Sequence, residues 1–274
     1  MSITAIVGEG GVGKTSLEVF FLEQYALNHG QERLRNCHAE IDKYNLNRKA
    51  KLIKPDKFPI FANFDATIPI GYRRDFTPYY LNPYYFGIPN LDKEVQPIVP
   101  WGVAIFTESD KVYDSREKSL PEAASGIYNK QRHFYLEIIL ELHRGMNADT
   151  LVRSNVHRFI EIQKQDREEN SFGEVTKTTW YCREFEGEKN YLRYVDSHGS
   201  EKTYKETVYT HVGNIFAYYN SRGCAEEFVP KEGQNFSFLQ QPSKVDIKKL
   251  PPEIAKFYKQ GEPPNWRKKA DETK

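Results

Sequence analysis

Eight consecutive residues, GEGGVGKT at positions 8–15, carry the chemistry most plainly stated in this chain. Gly8, Gly13, Lys14 and Thr15 fit the spacing G-x-x-x-x-G-K-[ST]. Glycines at such positions let successive backbone N–H groups turn inward around an anion. A lysine placed after them reaches the β- and γ-phosphates of a nucleotide, and the Thr hydroxyl is suited to Mg²⁺. The helix that follows presents its N-terminus to the negative charge. The segment Gly8, Glu9, Gly10, Gly11, Val12, Gly13, Lys14, Thr15 and Ser16 is therefore the expected phosphate cradle, a P-loop, with ATP and Mg²⁺ as the expected ligands.

Hydrolysis needs more than a cradle. It requires a carboxylate on the metal side and a group that positions or deprotonates water. The stretch GVAIFTESD (102–110) offers an apolar strand that ends in Thr107–Glu108. A standard Walker B strand ends in Asp then Glu, so Thr107 stands where the metal-side Asp belongs. Glu108 is the candidate for handling water, and Asp110 is the second candidate for the metal beside Thr15. The strand LEIILEL (136–142) runs into His143, which could sense the γ-phosphate by hydrogen bonding. Arg116, Arg132, Arg144 and Arg153 are candidates for γ-phosphate or trans-acting roles; each also reads as an ordinary solvated or paired arginine.

The elements that must position these groups alternate in type. Ile3–Val7 reads as a buried strand. The run from Thr15 places Leu17, Phe20, Phe21 and Tyr25 at helical spacing and is expected to stop at Gly30, a C′ glycine. Residues 31–50 are polar and helix-compatible. Further strands are expected at 58–64, 102–106, 136–142 and 157–163, and helices at 121–133 and 147–155. Strands separated by helical crossovers imply a mainly parallel sheet covered on both faces, an α/β three-layer fold. The interval 66–100 breaks the alternation with its many Pro, Tyr and Asn; its tyrosines could stack on bases, but an aromatic mini-core or a subunit interface is the favoured reading. After about residue 165 the texture turns β-rich, aromatic and glycine-punctuated, including KNYLRYVDSHGSEKTYKETVYT, and reads as hairpins with Trp180 and Tyr181 in the core. This gives three expected parts: a core at 1–165, a β-rich extension at 166–242 packed on it, and a mobile basic tail at 243–274 with nine Lys/Arg against five Asp/Glu.

Composition bounds the function. The 274 residues carry 39 Lys+Arg and 38 Asp+Glu, a formal charge of +1, which argues against a broad basic face coating nucleic acid but leaves room for a local basic channel. Mean hydropathy is −0.71 and no run of about 18 apolar residues occurs, so no transmembrane helix is expected. The start, MSITAIVGEGG, lacks the basic region of a signal peptide. Cys37, Cys182 and Cys224 are widely spaced and odd in number, which suits a reducing cytoplasm better than a disulfide scaffold.

With these residues set out, the first 160 positions resemble the zonula occludens toxin-like ATPases, the group of the filamentous-phage assembly ATPase within the FtsK–HerA branch of P-loop ATPases. The resemblance is carried by ITAIVGEGGVGKTSL, by IFANF with Asn63, and by VAIFTESDKVYDSR with Glu108 and Arg116. The block QRHFYLEIILELHRGMNADTLVRSNVHRFIEI completes it, with Arg132, His133, Asp149 and Arg153 at matching places. Two positions depart from the family pattern: Thr107 replaces the usual Asp, and His143 the usual Gln. The membrane span that follows the ATPase domain in phage relatives is also missing. The resemblance implies a ring-forming homo-oligomer in the host cytoplasm, recruited to membrane or virion by partners. It would move DNA or a DNA–protein complex with ATP during phage or mobile-element assembly, packaging or export. Other partners would be phage or plasmid assembly proteins. The alternative is a nucleotide-dependent structural or switch protein with little or no turnover. A small-molecule kinase shares the cradle, but no arginine-rich lid segment is evident.

Overall fold

The structure is a computed structural model that describes residues 2–46, 54, 60–72, 74–76, 78–80, 87–89, 95–97, 102–109, 128–129, 131, 136–143 and 148–219. Strand β1 (Ile3–Val7) leads through a glycine loop into α1 (Lys14–Gln24), a π-helical turn (Tyr25–His29) and α2 (Gly30–Asn45). Strands β2 (Ile60–Ala62), β3 (Ile68–Gly71), β4 (Arg74–Phe76), β5 (Tyr79–Tyr80), β6 (Gly87–Pro89) and β7 (Val95–Pro97) are short. The remaining elements are β8 (Val103–Phe106), β9 (Glu137–Leu142), α3 (Thr150–Ser154), β10 (Arg158–Glu169), β11 (Val175–Glu186), α4 (Gly187–Asp196), β12 (Lys205–Val212) and a 3-10 turn (Ile215–Tyr218).

Eight of these strands form one sheet in the order β12-β11-β10-β1-β9-β8-β2-β5. The six from β10 to β5 are mutually parallel, and β11 and β12 extend the sheet with antiparallel pairing, β10 and β11 as a hairpin and β12 after α4. All residues of β1 and β8 are buried, as are five of six in β9, which is the signature of parallel strands covered on both faces. One face packs Ile6, Ile105, Ile139 and Ile160 against Leu17, Val19 and Leu22 of α1. Burying each of those helix side chains contributes about 1.5–3 kcal/mol. On the other face Tyr191 of α4 stacks on Phe159 with ring centroids 4.5 Å apart. Helices on both faces make the expected three layers.

Strand β10 runs across residue 165 without a break, and β11 and β12 bring aromatic rings to α1, with the centroids of Phe20 and Trp180 5.7 Å apart and those of Phe21 and Tyr209 5.4 Å apart. Of the two aromatics expected in the core, Trp180 is fully buried and Tyr181 is 41% exposed.

Two local expectations are corrected. Gly30 does not end a helix but begins α2. The Arg33 guanidinium sits over the Tyr25 ring at 4.9 Å and pairs with Glu137 of β9, so tertiary contacts hold the helical path where glycine alone favours a stop. The segment from Lys189, read as β-rich, is helical in α4. Its Tyr191, Tyr194 and Val195 follow an i, i+3, i+4 pattern that the aromatic content masked.

Within 66–100, β3 pairs with β4, β6 with β7, and β5 with the sheet edge at β2. Of the expected helix at 121–133, only 128–129 and 131 are among the described residues, and the tail at 243–274 lies outside them. Among the described residues no helix is long and apolar enough to cross a membrane.

Candidate functional site

Parallel strands bring their C-terminal ends to one edge, and the loop from Gly8 to Gly13 occupies that edge between β1 and α1. Two of its glycines adopt left-handed backbone, Gly11 at φ 82° and Gly13 at φ 91°. At Gly13 both conformation and space exclude a side chain, because a Cβ would lie 2.2 Å from Nε2 of Gln165. At Gly10 and Gly11 an added Cβ would meet nothing within 4 Å among the described residues. Its back is braced from β10 and β11. Gln165 Nε2 donates to Ser16 Oγ at 2.8 Å, Ser16 Oγ donates to the Gly13 carbonyl at 2.8 Å, and Trp180 Nε1 donates to that carbonyl at 3.2 Å.

Beneath the loop lies a buried polar cluster. Lys14 is 4% exposed; its Nζ donates to the Glu9 carbonyl at 2.9 Å and lies 3.7 Å from Oε1 of Glu141. The other oxygen of that carboxylate, Oε2, accepts from the Thr15 hydroxyl at 3.0 Å and from the Thr107 hydroxyl at 2.5 Å. Thr107 is itself clamped by Asn63, which accepts from its N–H at 2.8 Å and donates to its carbonyl at 3.0 Å. Glu18, one helical turn after Lys14, is fully buried and neither carboxyl oxygen has a hydrogen-bond partner among the described residues. Burial raises its pKa well above the usual carboxylate range, and the neighbouring Glu141 charge raises it further.

The structure thus gathers Gly8–Ser16, Thr107, Glu108 and His143 at one sheet edge. Glu108 is half-buried with φ 50°, an uncommon conformation for a non-glycine residue. His143, one residue beyond β9, is exposed. Arg153 lies elsewhere: α3 leads into the start of β10, where the His157 N–H donates to the Ile3 carbonyl at the opposite edge, and Arg153 pairs there with Glu188. Asp149 caps α3 by accepting from the Leu151 N–H at 2.8 Å. Asp110, Arg116, Arg132, His133 and Arg144 lie outside the described residues.

Glu141, Glu18 and Gln165 went unread in the sequence. Glu141 had a signal: in a strand buried on both faces a charge has no solvent side to occupy, so it must serve something inside. Its parity along β9 matches Ile139, which puts it on the α1 face.

Additional strand β9, set between β1 and β8, together with a glycine loop entering α1, gives the chain the P-loop NTPase fold. No family model and no curated protein matches the chain. Among solved structures it is similar to the N-terminal domain of zonular occludens toxin from Neisseria meningitidis, at 16% identity and a TM-score of 0.45, over 80% of this chain and 98% of that one. It is also similar to the genome packaging NTPase B204 of Sulfolobus turreted icosahedral virus 2. In complex with ATP-gammaS that protein matches at 10% identity and a TM-score of 0.33, over 75% of this chain and 95% of that one. In complex with AMPPCP the values are 11%, 0.34, 77% and 97%. At such scores these likenesses carry no functional weight, and the fold assignment rests on strand order and loop geometry.

Proposed function

We propose that the chain binds ATP·Mg²⁺ in the Gly8–Ser16 cradle and hydrolyses it to drive a ring-forming motor of phage or mobile-element assembly, acting on DNA or a DNA–protein complex. The observation that supports nucleotide binding is the left-handed glycine loop with Lys14 and Thr15 beneath it, at the C-terminal edge of a parallel sheet. The residues fit the ligand: no described residue crowds the loop at Gly10 and Gly11, its back is braced, and the groups below are oxygen donors of the kind a hard cation takes. The motor reading rests on the sequence resemblance.

In this reading the loop N–H groups and Lys14 hold the phosphates, and Thr15 serves the metal side. Bound Mg²⁺ supplies neutralisation of charge on the transferring phosphoryl group. Glu108 orients or deprotonates water, with Asp110 next in line, and His143 and Arg132 act at the γ-phosphate. The purified chain is expected to release phosphate in a single turnover. Lys14→Ala removes binding and release together, whereas Glu108→Gln keeps nucleotide and loses release. Unchanged ATP affinity in Lys14→Ala would remove the assignment.

A second reading is favoured by Thr107 at the Walker B position: a switch protein in which ATP stabilises an inter-subunit assembly. Phosphate release no greater than that of Lys14→Ala, with DNA present, would select it.

A further inference from the structure

Four observations converge on one carboxylate. Strand β8 runs into Thr107, which has a hydroxyl where the metal-side carboxylate of this loop type normally stands. The strand next to it, β9, brings Glu141 to the same level, because Phe106 pairs with Leu140 and the next residues are Thr107 and Glu141. One oxygen of Glu141 receives hydroxyls from both Thr15 and Thr107, and the other faces the Lys14 ammonium. Glu18, buried and with both oxygens unpartnered among the described residues, lies against this group.

We infer that Glu141 supplies the metal-side carboxylate of the nucleotide site from the neighbouring strand, in place of the one that Thr107 lacks. The ligand is a divalent cation of the Mg²⁺ class carried by a nucleoside triphosphate. Among the described residues no group of three His, Cys, Asp or Glu side chains could hold a metal alone. That agrees with Mg²⁺ chemistry, in which one or two carboxylates act together with substrate phosphates and retained waters. Thr15 and Glu141 are oxygen donors already held 3.0 Å apart. Phosphate binding would draw Lys14 from Glu141 toward the loop and leave that carboxylate as the free negative charge below Thr15. Asn63, by fixing both backbone polar groups of Thr107, keeps the Thr107 hydroxyl on Glu141 and so sets the carboxylate's orientation.

This inference rests on the nucleotide-binding reading above, and the test separates the two. Affinity of the full chain for a fluorescent ATP analogue is measured with Mg²⁺ and with chelator, and Mn²⁺ bound in the presence of ATP is counted by electron paramagnetic resonance. Wild type should gain affinity with metal. Glu141→Gln should lose about 10- to 100-fold of that gain, while its metal-free affinity rises, because Lys14 no longer has to leave a carboxylate to reach the phosphates. A merely structural ion pair would change both affinities alike. Thr107→Asp in the Glu141→Gln background should restore the metal-dependent gain, and this double variant decides the matter if Glu141→Gln alone fails to fold. Full metal dependence in Glu141→Gln, its loss in Asp110→Asn instead, or metal-independent binding by wild type would each overturn the inference. No nucleotide binding by wild type under either condition would overturn the function itself.

Discussion

The carboxyl of Glu18 sits wholly enclosed under α1 without a hydrogen-bond partner among the described residues, and burial followed by the Glu141 charge favours its neutral form. The sign of the resulting pH dependence is fixed by linkage. A carboxyl whose folded pKa is raised contributes fully below its unfolded pKa, and that contribution is lost as pH rises through the folded value. Glu18→Gln, which cannot ionise, should therefore be more stable than wild type by about 1–3 kcal/mol near pH ~8, with the difference shrinking toward pH ~4. Thermal unfolding across that range checks it; curves that stay parallel would mean another group sets the dependence. Glu18 was hidden because its helix reads as apolar at Leu17, Phe20, Phe21 and Tyr25, and nothing in spacing alone says which acidic position turns inward. Thr107 was legible as a departure, but its compensation lay on a different strand.

At the scale of elements, β1, the loop, β8 and β9 were readable because buried parallel strands are short apolar runs bounded by glycine or polar residues. Gly30 was misread because the contacts of Arg33 act across the fold, beyond any local window, and α4 because its aromatic content masked a helical spacing. The brace behind the loop belongs to the same class. Trp180 was placed in the core on composition, yet its Nε1–H also donates to the carbonyl of Gly13, 167 residues earlier. Trp180→Phe keeps an aromatic ring but leaves a gap and loses that donor, so a loss of about 1–3 kcal/mol is expected. Denaturant unfolding measures it. A variant as stable as wild type would show that β11 covers α1 without supporting the loop.

Across the whole molecule, one hydrophobic cluster joins Ile6 of β1 to Trp180 and Cys182 of β11 and Ile215 of the 3-10 turn, so the first strand and the last described elements share a core. Cys37 and Cys182 are both buried, and burial pushes each thiol up to about 12. At pH ~8 such a thiol is thiolate in only about one molecule in ten thousand. Iodoacetamide should label neither residue in the native chain and both in denaturant, as read by peptide mass spectrometry; native labelling of Cys182 at the rate of an exposed cysteine would contradict the shared core. The long reach from Gly13 to Trp180 also sets an order of events. Residues 8–15 leave the ribosome early, but their brace is translated more than half a chain later, and such distant pairings are slow to close. A nascent chain therefore carries the glycine loop long before it carries the strand that braces it.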